Sequence, residues 1–359
     1  MKIGILTFHR AHNYGAVLQC YALLQCLKGL GHDVWTIDYR QPFIEQAYRA
    51  FDMRRWLGMA ARLQKQSLSY LYRYPARQAQ KYYFERFVGS HLHPTPACTA
   101  DTIPQDFDAY IIGSDQLWNW ECVGNLVDNV FLGQFTRNAS GKLYGYAISS
   151  NRRSLEAVGA QALKQVIARF DAISMREESV SKTIHNLTGS MPSVCCDPTL
   201  LTDASAWEAI THDKYRNRKY VLAYQVGRPR GARTLLFSKA KALARELRCE
   251  TILVDMASAR LSVEDFVSLF KYARYVVCTS FHGTAFSLIF ERPFYVLQSL
   301  RDTDDRFAGL LRCIGAAERC VRPDASLEPL PMDYTPIRRA LHSYREQSLQ
   351  FLADIQRIG

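Results

Sequence analysis

Short apolar runs alternate with longer segments of helical spacing along almost the whole chain. The apolar runs predict strands at residues 2–8, 34–39, 107–112, 142–148 and 172–175, and again at 220–225, 251–255, 275–278 and 294–297. Between most neighbouring runs, apolar residues recur every three or four positions, as they do on the buried face of an amphipathic helix. Strands that alternate with helices form parallel sheets, so the pattern predicts an α/β protein with one sheet in each half.

A polar stretch from Thr202 to Lys219 separates the two series of strands and predicts a linker. The chain has 359 residues, which is more than one hydrophobic core usually organises and suits two domains. We therefore predict a first domain over residues 1–205, a second over 206–335 and a last helix within 336–359. That helix, from Ile337 to Ile355, could pack on either domain.

The stretch from Tyr272 to Gln298 predicts a strand, a tight turn, a helix and a second strand. Its turn contains Ser280, His282, Gly283 and Thr284. Glycine allows close approach of the backbone, and the N–H groups that open a helix form a natural anion-binding site. Since open α/β sheets bind ligands at the carboxyl ends of their strands, we predict that His282 belongs to a ligand site. The alternative is that His282 only hydrogen-bonds a neighbouring loop.

The first strand ends at a loop that contains Asn13, Tyr14 and Gly15, before a helix predicted from about Val17 to Gly29. This loop lacks the GxGxxG pattern, so an ordinary dinucleotide site is not expected. Asn13, Tyr14 and Gly15 could hold a sugar or a phosphate. Alternatively, Asn13 caps the helix and Gly15 permits close packing, and these roles can coexist.

Small and polar side chains also follow the predicted strand at 107–112. Ser114, Asp115 and Gln116 could bind the hydroxyl groups of a sugar, with Trp118 as a stacking wall. The alternative is that Asp115 caps a short helix and Trp118 fills the core. Four such residues within a short segment favour a site.

Two arginines are candidates for anion binding. Arg176 stands at the start of a predicted helix, where the helix dipole disfavours a cation, so an anion or a buried carboxylate must stabilise it. Arg306 precedes an apolar helical segment and could reach the same cleft as His282, although a solvated helix end would also accommodate it.

The chain carries 45 Lys and Arg against 34 Asp and Glu, a net charge of +11 that predicts anionic partners. Residues 41–90 alone contribute +6 and contain eleven aromatic residues. This composition predicts a basic, amphipathic helical insertion at about 41–100, which either touches a membrane surface or a lipid-linked substrate, or packs its aromatics on the first domain. Single-stranded RNA binding needs similar residues, but no nucleic-acid motif accompanies them, and no nucleic acid is expected.

Ten cysteines are present without any CxxC pair, which argues against a disulfide framework or a zinc site. No His, Asp or Glu cluster has the spacing of metal ligands, so no metal is expected. No run of about 18 uncharged apolar residues occurs, and the apolar run at the N-terminus is too short for the core of a signal peptide. We expect a cytoplasmic protein, with peripheral contact at the inner face of the membrane as one hypothesis.

Six segments, taken in order, resemble the motifs of a known family. They are NYGAVLQCYAL (13–23), DAYIIGSDQLWN (108–119), SMREES (174–179), CDPTLL (196–201), TSFHGTAFSLIFERPF (279–294) and DDRFAGLL (304–311). Their order and spacing resemble the polysaccharide pyruvyl transferase family over almost the whole chain apart from the basic insertion. The resemblance implies a GT-B-like fold, in which two Rossmann-like domains face each other across a cleft.

The resemblance also implies an activity, the transfer of pyruvate from phosphoenolpyruvate to a sugar hydroxyl, often with closure of a cyclic ketal. Phosphoenolpyruvate would be the donor substrate, with no further cofactor. The acceptor would be a polysaccharide, an oligosaccharide or its lipid-linked precursor. The first domain would bind the acceptor and the second the donor.

Carried onto this sequence, the resemblance assigns roles to the candidate residues. His282 and Asp115 would be catalytic. Donor binding would fall to Arg176, Ser280, Gly283, Thr284 and Arg306, with the N–H groups of residues 283–285 around the phosphate. Acceptor binding would fall to Asn13, Tyr14, Ser114, Gln116 and Trp118. In part of the family an arginine lies just ahead of the histidine, whereas Ser280 and Phe281 stand there in this chain, so a different arginine must bind the anion.

Two other functions fit the same residues. A GT-B glycosyltransferase with a nucleotide-sugar donor would also place phosphate near Gly283, because fold alone does not decide function. A non-catalytic carbohydrate-binding protein of a surface-polymer pathway would not need its polar residues to converge in space.

Overall fold

The computed structural model describes residues 1–62, 66–226, 230–255, 260–298 and 305–357, which form two α/β domains. The strands of the first domain are β1 (Lys2–Leu6), β2 (Asp33–Thr36), β3 (Ala109–Asp115), β4 (Lys142–Ile148), β5 (Ala172–Met175) and β6 (Ser193–Val194). They pair in parallel in the order β2-β1-β3-β4-β5-β6. This is a Rossmann-like sheet, as predicted.

The second domain contains a separate parallel sheet. Its strands are β7 (Tyr220–Gln225), β8 (Glu250–Asp255), β9 (Tyr275–Cys278), β10 (Phe294–Leu297) and β11 (Cys320–Val321), in the order β11-β10-β9-β7-β8. Strands β7, β9 and β10 coincide with the predicted runs because each is buried along its whole length, as strands of a covered parallel sheet are. The predicted fold class, two Rossmann-like domains across a cleft, is confirmed.

Helices cover both faces of the two sheets. In chain order they are α1 (Tyr14–Gly29), α2 (Pro42–Ala47), α3 (Met53–Ala61), α4 (Gln66–Tyr72), α5 (Tyr74–His91), α6 (Arg152–Val158), α7 (Ala160–Ile167), α8 (Glu178–Thr188), α9 (Arg230–Glu246), α10 (Val263–Tyr272), α11 (Phe281–Ile289), α12 (Asp305–Cys313) and α13 (Tyr334–Arg357). Asp304, the first residue of the predicted DDRFAGLL segment, lies outside the described residues.

Helix α1 lies between the two domains. Twelve of its 16 residues are buried, which is typical of a helix with neighbours on every side rather than of a surface helix. The Tyr14 ring stacks on Phe266 of the second domain, with ring centroids 4.2 Å apart. Both domains therefore share one continuous hydrophobic core, and α1 fixes the side of the cleft that it borders.

The segment at 202–219, predicted as a polar linker, does connect the two sheets, but part of it is buried rather than solvated. It forms two short 3₁₀ turns, Ala204–Ile210 and Asp213–Tyr215, and buries Trp207 in the core. The Trp207 ring contacts Tyr21 of the first domain and Phe286 of the second, at centroid distances of 5.8 and 4.9 Å. Burial of a large aromatic ring such as that of Trp207 stabilises the folded state strongly, so this segment packs on the core although most of its residues are polar.

Two further boundaries differ from the prediction. Strand β3 continues through Asp115 rather than ending at Ile112, so the predicted site residues Ser114 and Asp115 belong to the strand itself. Between the runs at 142–148 and 172–175, where the helical spacing predicts one helix, the chain forms two. Helices α6 and α7 are separated at Gly159, whose φ of 83° no residue of a continuous α-helix adopts.

The predicted basic insertion is helical and consists of α2 to α5. Helix α5 buries Phe84, Phe87 and Val88 in the core that the domains share, which anchors the insertion. Helices α3 and α4 pack around Phe51, whose ring contacts Trp56 and Tyr70.

Helix α13 returns from the second domain and packs on the first. Its Ser348 hydroxyl accepts a hydrogen bond from the Cys196 N–H at 2.8 Å, and Arg345 Nε donates to the Leu200 carbonyl at 2.8 Å. Its first two turns also contact the second domain, where the Tyr334 hydroxyl donates to the Arg292 carbonyl at 2.6 Å and Arg338 Nη2 donates to Glu291 Oε2 at 3.1 Å, so the helix packs on both domains.

Candidate active site

A cavity of about 380 Å³ lies between the domains, at the carboxyl ends of strands β1, β3 and β9. Of the predicted site residues, Asn13, Asp115, Gln116, Arg176, Ser280, His282 and Arg306 line it. Residues from distant parts of the sequence and from both domains therefore meet in one space of a size typical for small-molecule sites.

The His282 imidazole sits where the two domains touch. It belongs to the first turn of α11, which begins at Ser280, whose hydroxyl accepts the Gly283 N–H at 3.0 Å. A Cβ atom placed on Gly15 would lie only 2.0 Å from His282 Nδ1. Gly15 is thus required for the close approach of α1 to the ring, which gives a physical reason for glycine at this position of the loop.

On its other side, the His282 ring faces a buried carboxylate. His282 Nε2 is 3.6 Å from Asp197 Oδ2, beyond hydrogen-bond length, and this buried nitrogen has no hydrogen-bond partner among the described residues. Asp197 Oδ1 accepts the Thr199 N–H at 3.0 Å and the Thr199 hydroxyl at 2.8 Å. These bonds fix the carboxylate and direct Oδ2 toward the cleft.

Arg176 is buried among three carboxylates. Its Nη1 donates to Asp197 Oδ2 at 2.8 Å and its Nε to Glu177 Oε1 at 3.1 Å, while Asp115 Oδ1 lies 3.8 Å from Nη1. The guanidinium also stacks on the Phe281 ring, 4.5 Å from its centroid. Buried carboxylates, one of the two alternatives that the sequence offered, therefore stabilise this cation at the start of its helix.

The charges of this cluster support one another. Burial alone would raise the pKa of Asp197, but the nearby His282 and Arg176 outweigh burial and hold that pKa well below its usual range. Burial alone would lower the pKa of Arg176, but Glu177, Asp197 and Asp115 outweigh it and raise that pKa. Asp197 and Arg176 are consequently both charged at neutral pH.

The predicted phosphate cradle needs correction. The Gly283 N–H donates to the Ser280 hydroxyl, and both the N–H and the hydroxyl of Thr284 donate to the Ser280 carbonyl at 3.1 Å. Both residues are buried, and their groups serve to cap α11. The first two N–H groups of the helix, those of Phe281 and His282, are the ones that helix geometry leaves without an intrahelical acceptor.

Three predicted acceptor residues do not line this cavity, because each is buried and engaged elsewhere. The Tyr14 hydroxyl donates to the Leu261 carbonyl at 2.9 Å. The Ser114 hydroxyl donates to the Ala147 carbonyl at 2.7 Å. Trp118 Nε1 donates to the Phe131 carbonyl at 2.8 Å, so Trp118 fills the core. Asn13 and Gln116 are the predicted acceptor residues that line it.

Asp115 ends β3 with a φ of 83°, an uncommon conformation for a residue with a side chain. Its Oδ1 accepts the N–H of Gln116 at 2.8 Å and faces Arg176. Residues held in sparsely populated conformations often belong to functional sites, so this geometry fits a carboxylate presented to the cavity.

Asn13 has the predicted capping role, and it also lines the cavity. Its Oδ1 caps α1 by accepting the Gly15 N–H at 2.9 Å, and its side chain lines the cavity. Opposite, the insertion contributes Phe43 and Tyr48, and Cys122 completes this wall. Burial and the nearby Asp115 raise the pKa of Cys122 to about 12, so its thiol is neutral and unreactive at physiological pH.

Sequence reasoning missed Asp197 and Glu177 as members of the cluster. Asp197 belongs to the CDPTLL motif, and Glu177 follows Arg176 directly in the SMREES motif, so both lie in segments that resemble the family. The available signal was the unexplained cation at a helix start, which requires nearby carboxylates. Only the fold shows that Asp197 is the carboxylate that Arg176 and His282 share.

A second cavity, of about 730 Å³, lies on the other side of Arg176 and Phe281. Arg176, Phe281 and Arg306 line both cavities, so they form a partition within the interdomain cleft. Asp197 and Tyr344 line the second cavity. A ligand that passes this partition would contact residues on both sides of the Asp197 and His282 pair.

Neither a metal-binding cluster nor a membrane-spanning helix occurs within residues 1–62, 66–226, 230–255, 260–298 and 305–357. Over those ranges, no group of three or more His, Cys, Asp or Glu side chains is arranged to hold a metal ion. Among the helices whose residues are described, none is both long and apolar enough to cross a membrane.

Comparison with known proteins gives one family and several distant folds. The sequence model of the polysaccharide pyruvyl transferase family matches residues 13–299, and no curated protein gives a significant match. Among solved structures, the chain is similar to the UDP-GlcNAc 2-epimerase of Methanocaldococcus jannaschii in complex with UDP-GlcNAc and UDP, with 11% identity, a TM-score of 0.47 and 100% of both chains covered. It is also similar to the glycosyltransferase SnogD of Streptomyces nogalater, with 12% identity, a TM-score of 0.45 and coverage of 100% of this chain and 99% of that one. The E. coli heptosyltransferase WaaC with ADP-2-deoxy-2-fluoro heptose shows 13% identity, a TM-score of 0.35 and coverage of 84% and 90%.

Proposed function

The chain belongs to the polysaccharide pyruvyl transferase family, and from that premise we propose that it transfers pyruvate from phosphoenolpyruvate to a sugar hydroxyl, with formation of a ketal. The acceptor is a polysaccharide, an oligosaccharide or its lipid-linked precursor. The observation that carries the proposal is the meeting of His282, Asp115, Arg176 and Arg306 in one interdomain cavity. This set supplies an acid, a base and cations, which the reaction requires.

Donor binding rests on positive groups that line the cavity. Phosphoenolpyruvate carries a phosphate and a carboxylate, which guanidinium groups and helix-opening N–H groups bind well. Arg306 and the N–H groups of Phe281 and His282 take this role. Arg176 contributes less charge to a ligand because three carboxylates already surround it, and it instead holds Asp197 and Asp115 in place.

The first chemical step joins the acceptor to the donor. The imidazolium of His282 protonates the methylene carbon of phosphoenolpyruvate, which becomes a methyl group, while the adjacent carbon acquires oxocarbenium character. The acceptor hydroxyl attacks that carbon and gives its proton to the Asp115 carboxylate. Asp197, whose Oδ2 lies 3.6 Å from Nε2, orients the imidazole.

The second step closes the ketal. A second hydroxyl of the same sugar attacks the same carbon, the bond to the phosphate oxygen breaks, and inorganic phosphate leaves with the bonding pair. Before this attack, the proton that Asp115 took in the first step returns to His282 through solvent. Asp115 then accepts the proton of the second hydroxyl and passes it to the leaving phosphate, so both residues regain their starting states. The product keeps the carboxylate of pyruvate, so each transfer adds one negative charge to the sugar.

The reaction takes place in the cytoplasm under this proposal. All ten cysteines are free, and several are buried in the core, as expected for a protein that matures in a reducing compartment.

Mass spectrometry of the product tests the proposal. The purified enzyme is incubated with phosphoenolpyruvate and a panel of free, nucleotide-linked and lipid-linked sugars, and released phosphate is measured in parallel. We expect an acceptor whose mass rises by one pyruvyl ketal for each phosphate released. A glycosyl product formed from a nucleotide sugar, with no phosphate released from phosphoenolpyruvate, would instead establish a glycosyltransferase.

Thermal shift separates these two donors before any acceptor is known. A ligand at about 100 times its dissociation constant stabilises the folded state by about 2.7 kcal/mol. Phosphoenolpyruvate should raise the melting temperature of the wild-type protein and of Arg152→Gln, a control on an exposed helix, but not of Arg306→Gln. Stabilisation by nucleotide sugars alone would contradict the assigned donor.

A further inference from the structure

Helices α3 and α4 of the insertion each expose apolar side chains along one side. In α3, Met53 and Leu57 are one helical turn apart, and 56% and 52% of their surfaces are exposed. In α4, Leu68 and Tyr72 are likewise one turn apart, with 73% and 85% exposed, and Leu71 is on the same side. Single exposed apolar residues are ordinary, but a cluster of this kind on neighbouring helices indicates an interaction surface.

Exposed basic residues lie within and directly after these two helices. Arg54 lies within α3, Arg62 follows it, and Arg73 follows α4, all three of them exposed. The span of residues 41–90 carries +6 of the total +11. An apolar face bordered by arginines is complementary to a bilayer with anionic head groups, since the side chains enter the acyl boundary while the cations meet the phosphates.

The same helices are anchored next to the proposed active site. Tyr48 lines the 380 Å³ cavity, and Phe51, around which α3 and α4 pack, follows it by three residues. Three residues of chain span at most about 11 Å, so the exposed surface begins close to the cavity wall. Phe43, also in this wall, is itself 41% exposed.

We infer that α3 and α4 dock on an anionic membrane surface, so that the sugar acceptor reaches the cavity while it is still attached to a membrane lipid. The acceptor part of this inference rests on the proposed function, whereas the docking part does not. Nucleic acid fits less well, because bases stack on aromatic rings and most of the exposed cluster is aliphatic.

Cosedimentation of the full-length protein with lipid vesicles tests the docking part without any turnover. We expect binding to vesicles that contain phosphatidylglycerol, weaker binding to pure phosphatidylcholine, and release at about 1 M salt, where charges are screened within ~3 Å. The double variant Leu57→Ser/Leu68→Ser should bind anionic vesicles at least about tenfold more weakly than the wild type, because two inserting side chains are lost.

A matched control comes from two exposed leucines elsewhere. Leu126 and Leu330 are 72% and 49% exposed, close to the values of Leu68 and Leu57, and Leu126→Ser/Leu330→Ser should bind vesicles like the wild type. Equal loss in both double variants, no binding to anionic vesicles, or leucine-dependent binding to single-stranded RNA in place of vesicles would overturn the inference.

Activity then separates the two proposals. If the double variant still transfers pyruvate to a soluble sugar but loses transfer to the same sugar on a lipid in vesicles, both proposals stand. Vesicle binding without pyruvyl transfer to any acceptor would leave docking intact and refute the proposed function. Equal activity of wild type and variant on the lipid-linked acceptor in vesicles would refute membrane delivery.

Discussion

The molecule contains two buried ion clusters of opposite make-up. In the first, Asp38 accepts from Arg10 Nε at 2.7 Å and Arg40 Nη2 at 2.9 Å, and it lies 2.9 Å from His9 Nε2. One carboxylate there faces three basic groups. In the second cluster, Arg176 faces three carboxylates, and His282 stands beside Asp197 at 3.6 Å.

The difference between them distinguishes a purely structural cluster from a functional site. In the Asp38 cluster both ring nitrogens of His9 are engaged, since Nδ1 lies 3.1 Å from the Thr7 carbonyl, and the cluster ties the loop after β1 to the end of β2. In the Arg176 cluster the His282 ring lines a cavity and its Nε2 is unsatisfied within the described residues. Buried charge alone does not identify an active site, whereas a titratable group left incomplete at a cavity wall does.

Removal of the central cation should give the largest effect. Arg176→Gln leaves three buried carboxylates without compensation, so we expect a loss of about 3–5 kcal/mol in the free energy of unfolding, together with loss of activity. Urea unfolding measures the stability. The exposed Arg152→Gln, which breaks one surface pair with Glu156, should change stability little. Equal stability of the two variants would mean that the carboxylates do not depend on Arg176.

Removal of one charge from each cluster should produce different phenotypes. Asp197→Asn should lower kcat about 100-fold, because the general acid loses its orienting carboxylate. Asp38→Asn should lower the free energy of unfolding by about 2–3 kcal/mol through its lost charged hydrogen bonds, and its folded fraction should retain most of the wild-type kcat. Equal losses of kcat in both variants would show that the Asp38 cluster is not purely structural.

Adding a single methyl group at Gly15 tests whether the position of the His282 ring matters for activity. In Gly15→Ala the new Cβ would overlap His282 Nδ1, so the ring must move, and a displacement of about 1 Å can lower turnover by about 100-fold. The control is Gly29→Ala at the other end of α1, where a Cβ meets no atom within 4 Å and should be neutral or stabilise by up to about 1 kcal/mol. Full activity in Gly15→Ala would show that the position of the imidazole is not critical.

Acid should weaken both clusters by modest amounts. The pKa values of Asp38 and Asp197 are held below their usual range, against burial, by His9 and Arg10 in one cluster and by His282 and Arg176 in the other. A carboxylate with a lowered folded-state pKa stabilises the protein above its unfolded pKa of about 3.9, and this stabilisation disappears as the pH falls further. The free energy of unfolding should therefore decline below about pH 4, with a shallower slope in Asp38→Asn and in Asp197→Asn. A slope identical to that of the wild type would exclude these two groups as its source.

Much of the fold was predictable because it depends on local patterns. The strands at 220–225 and 275–278 are apolar except for Gln225 at the end of the first, and the structure adopts them without change. The segment around Trp207 was not predictable, because its polar composition hides a few side chains that reach a distant core. Chain composition does not show which neighbours fold back onto a segment.

The site was predictable to the level of the loops but not of the individual side chains. The loops after β1, β3 and β9 do meet, because the carboxyl ends of parallel strands lie at one edge of each sheet. Ser114 and Trp118 come from the right segment but point into the core, since the direction of a side chain at a strand end depends on where the strand stops. The approach of Asp197 to His282 depends on how the two domains pack, which no local pattern encodes.

The most direct test of the central claim is the rate of phosphate release from phosphoenolpyruvate by the wild type and by His282→Gln, each with an acceptor found by mass spectrometry. The expected result is release that requires the acceptor, a decrease of about 10²–10⁴-fold in His282→Gln, and an unchanged melting temperature. Wild-type turnover in a well-folded His282→Gln protein would contradict it.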